Sequence, residues 1–172
     1  MSSKNVATIL SIPSEYSKYA GWYAYEYERP AVTVDAVCMY MGVNEQQVLL
    51  IQRKNSPYKS HFAFPGGFLN IDEKAEDGVK RELFEETGIK ATDVHLLGVY
   101  DDVYRDTRSR VISIAYYVPF TQKQDVIAGD DAENAVWIPV SDAKKLQLAF
   151  DHNKILKDAI NELQLQYDFS RR

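Results

Sequence analysis

The chain has 172 residues, 45% of them apolar and 26% charged, enough to bury one sizeable core and too few for two ordinary domains. No apolar run approaches the roughly 18 residues needed to cross a bilayer, and Met1 to Ser11 has no basic stretch followed by a hydrophobic segment and cleavage site. A net charge of −5 argues against a surface built for duplex nucleic acid, and the lone Cys38, set in an apolar run, reads as a buried thiol in a reducing, cytoplasmic setting.

Residues 1–30 form an aromatic-rich N-terminal segment carrying Tyr16, Tyr19, Trp22, Tyr23, Tyr25 and Tyr27, which Pro30 ends. Tyrosines in such numbers more often pack on a core or a second subunit than stack a base. The single domain, residues 31–172, then opens with a predicted strand pair, Ala31 to Tyr40 and Val48 to Gln52, around the turn-like Gly42-Val43-Asn44. Phe62 to Asn70 reads as a strand broken by Pro65-Gly66-Gly67. Ala75 to Thr87 reads as a helix with an acidic first turn, an apolar stripe of Val79, Leu83 and Phe84, and Gly88 as its stop. Strands are predicted over Val94 to Tyr100, Arg110 to Phe120 and Ala135 to Pro139, and a final helix carries Ile155, Leu156, Ala159, Ile160 and Leu163 on one face.

An acidic protein that handles an anionic substrate needs local positive charge from arginines, metal ions or both. Glu82, Glu85 and Glu86 are spaced by three and four, so a helix places their carboxylates on neighbouring parts of one face. A solvated acidic face softened by an Arg81–Glu85 pair would explain these charges alone. The Pro-Gly-Gly loop just upstream changes the balance, because it can bring backbone oxygens to the same face and complete a cage for a hard cation.

From Gly67 the chain reads GFLNIDEKAEDGVKRELFEETGI, with Glu73, Arg81, Glu82, Leu83, Glu85, Glu86, Gly88 and Ile89 at fixed intervals. This segment resembles the complete signature box of the Nudix hydrolases, and a chance match in a chain this size is on the order of one in ten million. The resemblance implies an α/β (α+β) Nudix fold, a mixed β-sheet core sandwiched between helices. It also implies magnesium, with manganese as the alternative, held by Glu82, Glu85, Glu86 and the Gly67 carbonyl. Arg81 and Glu73 correspond to positions that orient the carboxylates through ion pairs. The general base of such enzymes often lies on a later loop, so Glu133 is the first candidate and Asp131 the second, in the acidic turn Ala128 to Glu133.

Three further segments are similar to the ADP-ribose pyrophosphatase branch: Arg29 to Asp35, Tyr104 to Tyr117, and Gly129 to Trp137. Arg53, Arg105 and Arg108 are candidate substrate contacts, because a guanidinium grips two phosphate oxygens at once. Thr107 stands where the branch usually has proline, which leaves the turn between two arginines less rigid by this reading. The expected partner is a small nucleotide, with no nucleic acid or membrane, and by analogy with the branch the protein is a homodimer. NADH, a dinucleoside polyphosphate or an oxidised nucleoside triphosphate is an alternative substrate, since the box specifies chemistry and not the leaving group. An ADP-ribose-sensing module is the alternative outside enzymes; the short stretch after Trp137 and the intact box weigh against it. The histidines His61, His95 and His152 show no metal-ligand spacing.

Overall fold

In the computed structural model, residues 27–42, 45–129 and 132–170 are described, with side chains to residue 164 in the last helix. The tyrosines and tryptophan at positions 16–25 and Asp131 lie outside the described residues; Tyr27 is exposed. In chain order the elements are β1 (Ala31–Met41), β2 (Gln46–Arg53), β3 (Phe62–Ala63), β4 (Gly66–Phe68), α1 (Ala75–Thr87), β5 (His95–Tyr100), β6 (Val111–Phe120), β7 (Ala132–Pro139), α2 (Val140–Ala143) and α3 (His152–Ser170). Among the described residues no helix is long and apolar enough to cross a membrane.

The strands form one mixed sheet in the order β3-β2-β1-β6-β5, with β4 pairing β1 and β7 pairing β2. Strand β1 runs parallel to β6 from Ala31 opposite Val111 to Tyr40 opposite Phe120. It is buried on both faces, which is why its sequence is a nearly continuous apolar run and not an alternation. Side chains still alternate in direction. Val34, Ala36 and Cys38 pack with Val79 and Leu83 of α1, while Val37 and Met39 pack with Ile155, Leu156 and Ala159 of α3. Helices therefore cover both faces, as the resemblance implied, and each fully buried Leu or Ile side chain contributes about 2 kcal/mol of transfer free energy.

Helix α1 spans the predicted residues, and Gly88 ends it in the left-handed conformation (φ 73°), its N–H donating to Phe84 O. Its buried stripe is Gly78, Val79, Leu83 and Thr87, whereas Phe84 is 46% exposed with Lys90 over its ring. The inclusion of Phe84 in the stripe is thus corrected: position 84 is rotated away from the sheet that receives 79 and 83. Strand β7 begins at Ala132, three residues earlier than expected, because Ala132 and Ala135 are buried against Ile51 and Ala149.

One topological feature positions the site. The antiparallel neighbour of β1 changes from β4, opposite Thr33 to Asp35, to β2, opposite Met39 to Met41. Between the two, the Ala36 N–H donates to Pro65 O at 2.7 Å. The chain thus crosses from β3, on the edge of β2, to β4, on the edge of β1, through Phe64 and Pro65.

Candidate active site

Beside this crossing lies a cleft of about 420 Å³, within the usual range for small-molecule sites. Glu82 and Glu86 of α1, Gly66 and Gly67 of β4, Asp35 of β1, Arg53 of β2, and Arg105 and Arg108 of the β5–β6 loop all line it.

Helix α1 meets the glycines closely. The Gly66 N–H donates to Glu86 Oε2 at 2.9 Å. A Cβ at Gly67 would stand 2.6 Å from both carboxylate oxygens of Glu82, so only glycine lets the strand pass without displacing that carboxylate. Burial pushes the Glu86 carboxyl up to about 8, with further upward pressure from Glu82 and Asp35, against the Gly66 N–H and Arg53. Burial likewise raises Glu82, against the hydrogen bond from Arg81. We expect Gly67→Ala to keep the fold, since the displaced atoms end a flexible side chain, and to lower turnover about 10- to 100-fold by misplacing Glu82. Steady-state rates together with a melting curve check this.

Arg81 organises the remaining carboxylates. Its guanidinium donates twice to Glu73, at 2.6 and 3.0 Å, and also to Glu82 at 2.7 Å, Glu85 at 2.9 Å and the Phe68 carbonyl at 3.2 Å. Glu73 accepts a further bond from the Asn70 N–H, and the Arg81 hydrogen bonds hold its carboxyl down at about 2. Arg81 and Glu73 thus fasten the loop before α1 to the helix.

Glu85 is turned out to Arg81, its side chain 54% exposed, and does not line the cleft. Among the described residues no three His, Cys, Asp or Glu side chains converge as a ready cage. Glu133 lies in β7 and not in the preceding loop, is exposed, and is not brought to Glu82 and Glu86. The loop itself docks on the end of α1, with Ile127 N–H donating to Thr87 O and Gly129 N–H to Glu86 O, both at 3.0 Å.

The three arginines differ in their partners. Arg105, expected as a phosphate contact, is only 3% exposed and committed to Asp151 by two hydrogen bonds of 2.7 and 3.0 Å. It forms part of the cleft floor with Asp35, 3.8 Å away. Arg108 pairs with Asp106 at 2.7 Å. The same Asp106 carboxylate accepts the Arg108 backbone N–H, so a side-chain bond stiffens this turn where Thr107 replaces proline. Arg53 donates through Nε to Pro57 O, and among the described residues no carboxylate lies within ion-pair distance of it.

Sequence reading missed Asp35, Asp106, Phe150, Asp151 and His152. His152 is 3% exposed, accepts the Phe64 N–H on Nδ1 at 3.0 Å, and lies 3.5 Å from Asp35 through Nε2. Burial holds its pKa down, so the ring is neutral. Asp35 also accepts the Ser113 hydroxyl. The available signal was a carboxylate inside the apolar run of β1, since a buried charge must find partners. His152 gave no such signal, because its partners Asp35 and Phe64 lie in two distant segments.

This arrangement places carboxylates on a box helix against glycine backbone, in a cleft that also holds arginines. The NUDIX domain family model matches residues 31–159, and the chain belongs to that family of hydrolases. It is 44% identical to ADP-ribose pyrophosphatase of Methanocaldococcus jannaschii, over 77% of this chain and 74% of that enzyme. It is 31% identical to the ADPR responsive transcriptional repressor NtrR of Acinetobacter baylyi, over 90% of this chain but only 62% of the repressor. Among solved structures, the NUDIX domain of Shewanella oneidensis NrtR complexed with ADP ribose superposes with a TM-score of 0.75 at 29% identity, covering 80% of this chain and 90% of that one.

Proposed function

We propose that the protein hydrolyses the diphosphate of ADP-ribose, giving AMP and ribose 5-phosphate, with magnesium as its ion and manganese as the alternative. The observation that carries the reading is one cleft lined by both Glu82 and Glu86 and by Arg53 and Arg108. Similarity to an ADP-ribose pyrophosphatase and to an ADP-ribose-binding domain supports the choice of nucleotide.

The residues suit a divalent ion. Glu82 and Glu86 offer carboxylate oxygens, and the Glu82 carboxylate packs directly against Gly67, where a Cβ would meet it. Two carboxylates are enough for magnesium, which keeps waters and takes the rest of its shell from substrate phosphates. Glu82, Glu86 and the Gly67 carbonyl would hold it; such an ion supplies charge neutralisation of the diphosphate and acidification of water. The chain's own residues do the remainder. Arg81 keeps Glu82 aimed and Gly66 N–H keeps Glu86 aimed. Arg53 and Arg108 take up diphosphate charge in the cleft.

Turnover of ADP-ribose, NADH, diadenosine polyphosphates and 8-oxo-dGTP, with magnesium and with chelator, tests the reading. ADP-ribose cut fastest, and only with the metal, supports it; a different preferred nucleotide keeps the family and removes the substrate. Similarity to the repressor favours a second reading, sensing, and ADP-ribose bound without cleavage by any metal would establish it.

A pH dependence follows from Glu86. Its folded pKa lies above the unfolded value, so protonation stabilises the metal-free protein at low pH. That contribution is lost as pH rises from about 4.5 through about 8. Melting temperature in chelator is therefore expected to fall across this window, and the stabilisation by magnesium to grow as the competing proton leaves. Equal metal stabilisation at pH 6 and pH 9 would place the ion elsewhere.

A further inference from the structure

Two cations share one wall of the cleft, and an aromatic ring lies between them in the contact pattern. The Arg53 guanidinium carbon is 5.0 Å from the centre of the Phe150 ring, and that of Arg108 is 5.7 Å from the same centre and 5.4 Å from that of Phe68. Both distances fall within the roughly 6 Å range in which a ring face attracts a cation. Left to themselves the guanidiniums repel: burial first, and then the proximity of Arg108, hold the Arg53 pKa down.

Phe150 is itself held against its preference. Its φ is 53°, in the left-handed region that a bulky side chain rarely adopts. The segments on either side enforce the conformation. Ala149 is fully buried and its N–H donates to Phe62 O at 2.8 Å, while the His152 N–H returns to Ala149 O at the start of α3. Tyr58, on the loop after β2, sits 4.8 Å from the Phe150 ring and fixes its orientation. Strain kept by surrounding structure at a ligand cleft points to a role for the ring there.

We propose that Phe150 is a positioning residue that sets affinity for the diphosphate, by holding Arg53 and Arg108 as a preassembled pair of guanidinium groups in the cleft. The inference rests on the reading of this cleft as a diphosphate site. It assigns a cause to substrate affinity and not to the chemical step, because Phe150 touches the arginines and not the Glu82–Glu86 side. Among the described residues no carboxylate lies within ion-pair distance of Arg53, whereas Arg108 is partly neutralised by Asp106 and lies nearer the Phe68 ring, so Arg53 is the member through which Phe150 acts most.

Three variants test it: Phe150→Leu removes the ring at similar volume, Phe150→Asn removes it while relieving the backbone, and Phe150→Tyr restores a ring. Binding of inorganic pyrophosphate in chelator, measured by calorimetry, is expected to weaken about tenfold in the Leu and Asn variants and to recover to within threefold of wild type with Tyr. With ADP-ribose and magnesium, KM should rise by a similar factor while kcat changes less than threefold. In an Arg53→Gln background, Phe150→Leu should add less than twofold. A purely structural ring would lower the melting temperature in the Leu variant and leave pyrophosphate affinity unchanged at temperatures where the protein is folded. Pyrophosphate that binds the Leu and Asn variants as tightly as wild type, or does not bind wild type at all, overturns the proposal. Failure to cut ADP-ribose, with the pyrophosphate effect present, removes the substrate and leaves Phe150 in place.

Discussion

Replacing Glu86 by Gln is expected to lower turnover at least about a hundredfold while leaving the fold intact, because it removes the charge and keeps the shape. The amide oxygen of Gln can still accept the Gly66 N–H, so the contact between α1 and β4 survives. Desolvation of a carboxylate at this position pushes its pKa to about 8, so a neutral amide relieves a cost of the metal-free protein. The variant should therefore melt no lower than wild type in chelator at pH 8, and its melting temperature should respond weakly to magnesium. Normal turnover in this variant would remove Glu86 from the site.

The second large effect is expected from Arg81→Lys. The guanidinium serves Glu73, Glu82, Glu85 and a backbone carbonyl at once, and an ammonium group is a point charge that cannot reproduce this fork. Three carboxylates would then repel across the face of α1. Turnover should fall about 10- to 100-fold, as for loss of groups that orient metal ligands, and more magnesium should be needed for half-maximal rate. Acid sensitivity offers an independent readout. Glu73 is held at about 2, below its unfolded value, so its contribution to stability is present above about pH 4.5 and is lost as pH falls toward 2. In Arg81→Lys that loss should be smaller and should be complete at a higher pH. An unchanged acid limb of the stability curve would show that the Arg81–Glu73 pair is not what fastens the loop to the helix.

How much of this could be read from the chain differs by residue. Helix α1 was predicted to the residue, since its box spacing, acidic start and Gly88 stop all act within a few positions. Strand β7 was placed late because its first residues, Ala132 and Glu133, have weak strand character of their own. Pairing with Arg53 and burial of Ala132 decide it. For the same reason Glu133 was expected on a loop beside the metal and is found exposed on a strand.

The arginines show the limit most clearly. By sequence Arg53, Arg105 and Arg108 were equal candidates, and nothing local distinguishes them. Their partners do: Asp151 lies 46 residues from Arg105 and commits it to the cleft floor, Asp106 half-neutralises Arg108, and Arg53 meets the Phe150 ring from the far end of the domain.

What the sequence determined by itself was therefore the helix, its line of carboxylates, the glycines that let a strand pass close to them, and with these the family and the class of reaction. Those features depend on spacing within one segment, which the periodicity of a helix converts directly into geometry. What only the tertiary structure decided was which charges remain available to a ligand. Availability depends on burial and on partners brought together by the parallel pairing of β1 with β6 and the packing of α3, and such contacts between distant segments leave no local pattern in the chain.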